Sequence, residues 1–430
     1  MTGSPQPLRS AEIIAVGSEM LGSTRVDTNS LFLAERLAAL GIALRAKTVV
    51  GDRRIDLATF FRLALERAEL VILTGGLGPT DDDLMRDVVA AVLGLPMEED
   101  PSIVASIEER FARRGLRMPA INRRQAMVPR GATVLDNPNG SAPGLLIQVE
   151  DRVVLLLPGP PREMKPMFEE VAAASLSARA GRERFYRATI FIAARSESHV
   201  EEAIQPIYAP LASGVPPIET TILAAPGQIE VHLTALSDDA AAAGRALASA
   251  RDRIVAAIGE DAFSVDGRAL EEIVGDLLRT AASTIAVAES CSGGLLLSRL
   301  TDVPGSSAYV LGGVVAYSNE AKTAFADVPA DLIAKHGAVS EPVAVAMAEG
   351  IQRRMGATIG VGVTGIAGPG GGTPQKPVGT VALAVAGPAG TKVRTVQFHG
   401  NRAQIKHYAS QIALDMVRRM VVRDAALRRD

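Results

Sequence analysis

Three short apolar runs in this 430-residue chain stop abruptly at glycine- or proline-rich turns, and a helical pattern follows each one. Residues 71–74 run into Gly75, Gly76, Leu77, Gly78 and Pro79. Residues 153–157 run into Pro158, Gly159, Pro160 and Pro161, and residues 284–289 into Ser290, Cys291, Ser292, Gly293 and Gly294. A buried strand that ends in a tight turn and hands over to a helix is the repeating unit of a parallel α/β sheet, whose ligands sit at the strand ends.

The pattern divides the chain into three segments, in keeping with about 150 residues per domain. In residues 10–170, strands are expected at 13–16, 71–74 and 153–157. Helices are expected at 29–40, with Leu31, Leu33 and Leu37 near one side, and at 81–93, stopped by Gly94. Residues 171–262 carry strands at 188–193, 218–224 and 229–235 and helices at 197–208 and 240–258, a small α+β module suited to a spacer or dimerisation role. Residues 268–430 return to α/β, with a helix at 270–282, strands at 284–289, 310–317, 359–364 and 378–385, and an amphipathic closing helix at 404–421. The expected fold is α/β: two α/β sandwich domains joined by the middle module, in a homodimer.

Charge and cysteine usage narrow the function classes. A net charge of −3 does not supply the basic face that phosphate neutralisation needs, and Arg113, Arg114 and Arg117, like Arg123 and Arg124, read as solvated helix faces. The middle module has no GxxG loop between helices, so no nucleic-acid partner is expected. Cys291 is the only cysteine, which rules out an internal disulfide and suits a reducing compartment. The polar N-terminus lacks a signal-peptide pattern and the apolar runs are too short to cross a bilayer, so a cytoplasmic protein without a membrane partner is expected.

The five histidines are scattered, with neither a triad arrangement nor HxH or HExxH spacing. Lysine is the alternative base. Lys322 follows the strand ending at Tyr317, with Ser318 or Asn319 as N-cap, in the first helical turn where the positive macrodipole lowers an ammonium pKa. Tyr317 is placed to share its proton. Taken alone, a lysine at a helix start reads equally as a surface residue. Ser290 precedes Gly293 and Gly294 at a helix N-terminus, a turn that offers backbone N–H groups to a phosphate or oxyanion. Ser306 and Ser307 form a second hydroxyl-bearing turn, and Thr364 ends a strand before a glycine-rich loop. Cys291 is a competing nucleophile, read against an inert core thiol. In the first segment, Asp81, Asp82 and Asp83 present either oxygen ligands for a divalent cation or helix N-caps.

As sets, these pieces carry a resemblance. AESCSGG (288–294), PGSS (304–307), AYSNEAK (316–322), HGAVSE (336–341) and GVTGIAGPGGG (362–372) resemble the nicotinamide-nucleotide amidohydrolase domain of CinA proteins over nearly all of 268–430. The resemblance implies hydrolysis of nicotinamide mononucleotide to nicotinate mononucleotide and ammonia without a cofactor. Ser307 would be the nucleophile, activated by Lys322 and Tyr317. Ser290 and Thr364 would position the amide, Gly293 and Gly294 would contact substrate, and Arg402 would face the phosphate. Ser292 stands where the family has threonine.

GSEMLG (17–22), VDTNS (26–30), TGGLGPTDDD (74–83), NRRQA (122–126), NGSAPG (139–144) and LPGPPREM (157–164) resemble the molybdopterin-binding-like domain at the start of CinA proteins. That resemblance implies a nucleotide pocket lined by Gly75, Gly76, Gly78 and Asp83, with Glu19 and Asn29 nearby, and in some members a metal-dependent ADP-ribose pyrophosphatase. Met85 and Asp87 stand where the family has threonine and glutamate. Two other classes compete: a molybdopterin- or nucleotide-binding protein, and a non-catalytic protein of competence or DNA repair.

Overall fold

The computed structural model describes residues 6–427, which form two compact units: residues through Phe185 with Leu236–Ala240, and Tyr186–Ala235 with the remainder of the chain.

The first unit contains β1 (Ser10–Val16), α1 (Asn29–Ala39), β2 (Ala43–Val50), α2 (Arg54–Arg67), β3 (Leu70–Thr74), α3 (Met85–Leu93), β4 (Met97–Glu99), α4 (Pro101–Ala112), β5 (Met127–Pro129), β6 (Thr133–Leu135), β7 (Gly144–Val149), β8 (Arg152–Leu157), α5 (Pro161–Val171) and α6 (Ser177–Arg179). Its main sheet has the order β2-β1-β3-β8-β7-β6. Alternating side chains feed two cores. Ile13, Ile72 and Leu155 pack with Leu33 and Leu37 of α1 and Phe168 of α5. Ile14, Val71, Leu73 and Val154 pack on the other face with α2, α3 and α4. The unit extends past residue 170 because the Leu8 amide donates to the Arg179 carbonyl at 2.8 Å, tying that stretch to the N-terminal end.

The second unit begins with a four-stranded sheet, order β10-β11-β9-β12, built from β9 (Arg184–Ala193), β10 (Ile218–Ala225), β11 (Gln228–Ser237) and β12 (Ala262–Ser264). Ile190, Ile192, Val231 and Leu233 pack there against Val200 and Ile204 of α7 (Glu197–Tyr208) and Leu247 and Ile254 of α8 (Ala240–Ile258). The chain continues as α9 (Leu270–Thr280), β13 (Ile285–Glu289), α10 (Leu295–Asp302), β14 (Val310–Val315), α11 (Asn319–Ala326), α12 (Ala330–His336), α13 (Glu341–Met355), β15 (Ile359–Gly365), β16 (Thr380–Gly387), β17 (Gly390–Gln397) and α14 (Arg402–Leu427). These strands form a sheet of order β14-β13-β15-β16-β17. Val287, Val361 and Leu383 meet α9, α10 and α14 on one face, while Ala286 and Ala288 meet α11, α12 and α13 on the other.

Two expectations are corrected. Neither large sheet is wholly parallel: β7 pairs antiparallel with β8 and with β6, and β16 pairs antiparallel with β15 and with β17. Two residues separate β7 from β8 and β16 from β17, too few for the crossover that parallel neighbours require. The third helix starts at Met85 rather than Asp81, because 80–84 close a turn in which the Asp83 amide donates to Thr80 O and the Leu84 amide to Asp82 O.

Candidate functional site

Parallel pairing of β13 with β14 and β15 gathers the residues that follow those strands. Glu289 is opposite Val315 on one side and Val363 on the other, so Ser290, Ala316–Tyr317 and Thr364 emerge at one edge of the sheet. There Ser290, Tyr317 and Thr364 line a cavity of about 260 Å³ with Lys322, Cys291, Asn319, Arg402 and the glycine-rich loop after β15.

Lys322 is the central group. Ser318 caps α11 by accepting the Ala321 amide at 3.1 Å, which sets Lys322 one turn into the helix. Its side chain is 2% exposed. Nζ lies 3.0 Å from Ser290 Oγ, 3.0 Å from Ala316 O and 3.5 Å from Tyr317 O. Burial pushes its pKa below the ordinary lysine value, opposed by Cys291. The direction matches the sequence-based expectation, with desolvation as the lowering cause. A neutral amine has two N–H donors and one lone pair. The two carbonyls can only accept, so they use the two N–H groups and leave the lone pair facing the serine hydroxyl.

Ser307 does not belong to this group. It is exposed in the turn Ser306–Ala308 before β14, whereas Tyr317 and Lys322 follow that strand. Six strand residues at about 3.3 Å each separate the two ends by about 20 Å. Ser307 therefore sits at the opposite edge of the sheet, and the serine on Lys322 is Ser290. Tyr317 is also placed differently from expectation. Only its carbonyl faces Lys322, while its hydroxyl accepts from Arg402 Nη2 at 2.7 Å; Arg402 Nη1 donates to Gly368 O at 2.8 Å. Thr364, 1% exposed, donates to Ala338 O at 2.8 Å and anchors the loop after α12.

Cys291 lies in the hydrophobic core, and burial pushes its thiol up to about 12. A thiol in that state is no nucleophile near neutral pH. Gly293 and Gly294 take positive φ, +64° and +88°, as the turn into α10 requires. They lie beside the cavity rather than lining it. A Cβ on Gly293 would stand 3.3 Å from Nζ of Lys406, one helical turn beyond Arg402 on α14. The sequence reading missed Lys406, which is marked only by its i,i+4 spacing from Arg402.

The first unit has a larger cleft, about 660 Å³, at the ends of β1, β3 and β8. Gly75, Gly76, Gly78, Asp83, Glu19 and Asn29 all line it. Gly75 has φ +98°, and a Cβ there would stand 2.1 Å from Val16 O, so only glycine fits the turn. Beneath the loop lies a residue the sequence reading did not single out. Arg86, 4% exposed, donates to Leu77 O at 2.6 Å and Gly78 O at 2.9 Å. Burial lowers its pKa to about 10 against the pull of Asp83 and Asp87. An arginine interrupting the apolar face of α3 was its only sequence signal. Asn29 donates through Nδ2 to Gly159 O at 2.7 Å, leaving Oδ1 buried without a partner.

The acidic run does not fit a preformed cation site. Asp81 pairs with Arg124 at 2.6 Å, whereas Asp83 turns back to accept from the Thr80 amide at 2.9 Å. Among the described residues, no group of three or more histidine, cysteine, aspartate or glutamate side chains is arranged to hold a metal ion. Nor is any helix among them long and apolar enough to cross a membrane.

Comparison with known proteins gives a consistent family. Residues 267–421 match the sequence family described as "CinA C-terminal domain", and residues 12–178 that described as "Probable molybdopterin binding domain". A "CinA-like protein" of Koribacter versatilis (strain Ellin345) is 46% identical over 416 residues, covering 96% of this chain and 100% of the relative. One from Acidobacterium capsulatum is 44% identical over 420 residues, covering 96% and 100%. Among solved structures, the competence/damage inducible protein CihA from Agrobacterium tumefaciens is 36% identical, covering 35% of this chain and 94% of that one, with a TM-score of 0.34.

Proposed function

Because the chain belongs to the CinA family, we propose that its C-terminal domain is an amidohydrolase that converts nicotinamide mononucleotide to nicotinate mononucleotide, with Ser290 as nucleophile and Lys322 as its base. The observation that carries this reading is Lys322 Nζ, buried between two carbonyls and 3.0 Å from Ser290 Oγ. A hydroxyl and a depressed-pKa amine in contact are the parts of a nucleophile–base pair.

Ser290 Oγ attacks the carboxamide carbon while its proton passes to Lys322 Nζ. The tetrahedral intermediate collapses, the C–N bond breaks, and the Lys322 ammonium gives the proton to the departing nitrogen, which leaves as ammonia. Water then attacks the ester on Ser290, with Lys322 as base again, and the breaking ester bond returns the proton to Ser290 Oγ. Arg402, fixed by Tyr317 and Gly368 at the mouth, is placed for the substrate phosphate.

The first unit is read as a nucleotide-binding domain, supported by the glycine loop over Arg86 and the unpartnered Asn29 Oδ1 in its cleft. Asp81 and Asp83 turn apart, to Arg124 and to Thr80, which does not fit a metal-dependent pyrophosphatase site. The test is ammonia release from nicotinamide mononucleotide by the purified full chain. Turnover that survives EDTA supports the reading, and its absence from wild type overturns it.

A further inference from the structure

A second, smaller cavity of about 190 Å³ opens beside the N-terminal cleft and shares Ser141 and Glu163 with it. Three arginines line it: Arg110, Arg114 and Arg162. Arg110 is in the last turn of α4 and Arg114 lies four residues on, so both project to the same side. Arg162 opens α5 just after Pro161, where the positive end of an 11-residue helix adds to its charge.

These guanidiniums have little to satisfy them. Arg110 reaches only the carbonyls of Asn137 and Pro138, at 3.3–3.4 Å. Arg162 comes no nearer than 3.9 Å to Glu163, and Glu163 is already bonded to Asn137 Nδ2 at 2.8 Å. Among the described residues Arg114 has no ion pair at all. Its neighbour Arg113 lies 3.9 Å from Glu109, as Arg162 does from Glu163, but does not line the cavity. Three like charges around one small space, with one committed carboxylate, repel one another until an anion enters. Planar guanidinium forks suit phosphate oxygens.

We infer that Arg110, Arg114 and Arg162 form a phosphate subsite of the N-terminal cleft. Its ligand is a phosphorylated small molecule whose remaining part lies past Ser141 in the larger cleft. The cleft side is lined by the carboxylates of Glu19, Asp27, Asp52, Asp82 and Asp83 against one cation, Arg25. That part of the ligand is therefore rich in hydroxyl or amino donors, and the phosphate is directed to the arginines rather than among the carboxylates. The inference is independent of the deamidation chemistry.

Calorimetric titration of the full chain with inorganic pyrophosphate tests it. Wild type binds, and Arg114→Ala and Arg162→Ala each weaken binding by about five- to tenfold, as expected for loss of one charge-assisted contact at a half-open site. Arg114→Lys recovers only part of the loss, and Arg113→Ala binds as wild type does. Unchanged melting temperatures and unchanged ammonia release establish that the variants are folded. No binding by wild type, unchanged binding by the Arg114 and Arg162 variants, or equal weakening by Arg113→Ala would each overturn the assignment.

Discussion

Replacing each serine in turn separates the two hydroxyls that the sequence offers for catalysis. Ser290→Ala removes the oxygen 3.0 Å from Lys322 Nζ and leaves the two carbonyl contacts of the amine in place, so the pocket keeps its shape while losing its nucleophile. Removing the nucleophile of a covalent hydrolase costs about 10⁴-fold or more in kcat. At about 1.36 kcal/mol per tenfold, that is about 5.4 kcal/mol of transition-state stabilisation. Ser307→Ala changes an exposed side chain at the far edge of the sheet, for which we expect less than about a twofold change in kcat/KM and less than about 0.5 kcal/mol in stability. Both are read from ammonia release coupled to glutamate dehydrogenase, with circular dichroism as the check on folding. Loss of activity in Ser307→Ala with wild-type turnover in Ser290→Ala would refute the reasoning, because the nucleophile would then lie away from the buried amine.

Activity should rise with pH along an acid limb set by Lys322, since only the neutral amine accepts the serine proton and burial places its pKa below the ordinary lysine value of 10.5. Lys322→Arg stays protonated throughout and should lose about 10³-fold or more at every pH; a variant that recovers at high pH would contradict this. The same shift enters stability: the unfolded chain binds the extra proton between the folded pKa and 10.5, so this contribution is fully present above 10.5 and is lost as pH falls through the folded value. Urea titrations of wild type and Lys322→Met across that window should converge or diverge accordingly, and parallel curves would deny the linkage. Cys291→Ala should keep more than about half of the activity, and the wild-type thiol should resist iodoacetamide at neutral pH, because burial holds its pKa at about 12; a thousandfold loss would restore the thiol as nucleophile. Gly75→Ala should destabilise the first unit by about 1–3 kcal/mol through its positive φ and the clash with Val16 O, and an unchanged melting temperature would show that the turn can relax.

Much of the architecture was legible in the chain. Helices α7 and α8 emerge at the bounds that the pattern implied, because amphipathic spacing is a local property. Strands β3, β8 and β13 were visible as apolar runs closed by glycine or proline, and Lys322 was visible as a lysine just inside a capped helix. The antiparallel edges were not, since β7 and β17 were not among the expected strands, and the two-residue hairpins that set their direction stayed hidden with them.

The sequence by itself determined two α/β sandwiches around a small α+β module, and placed hydroxyls, a lysine and glycine turns next to strand ends. Which hydroxyl meets the lysine was decided by tertiary structure. Ser290 follows its strand and Ser307 precedes one, and parallel register puts residues that follow neighbouring strands at the same edge of the sheet. In the same way three consecutive aspartates suggested a shared cation, yet a single turn sends Asp81 to Arg124 and Asp83 back to Thr80. Adjacency along a chain fixes neither the direction of a side chain nor its distance from a group dozens of residues away; strand register and burial fix both, and burial also lowers the pKa of Lys322.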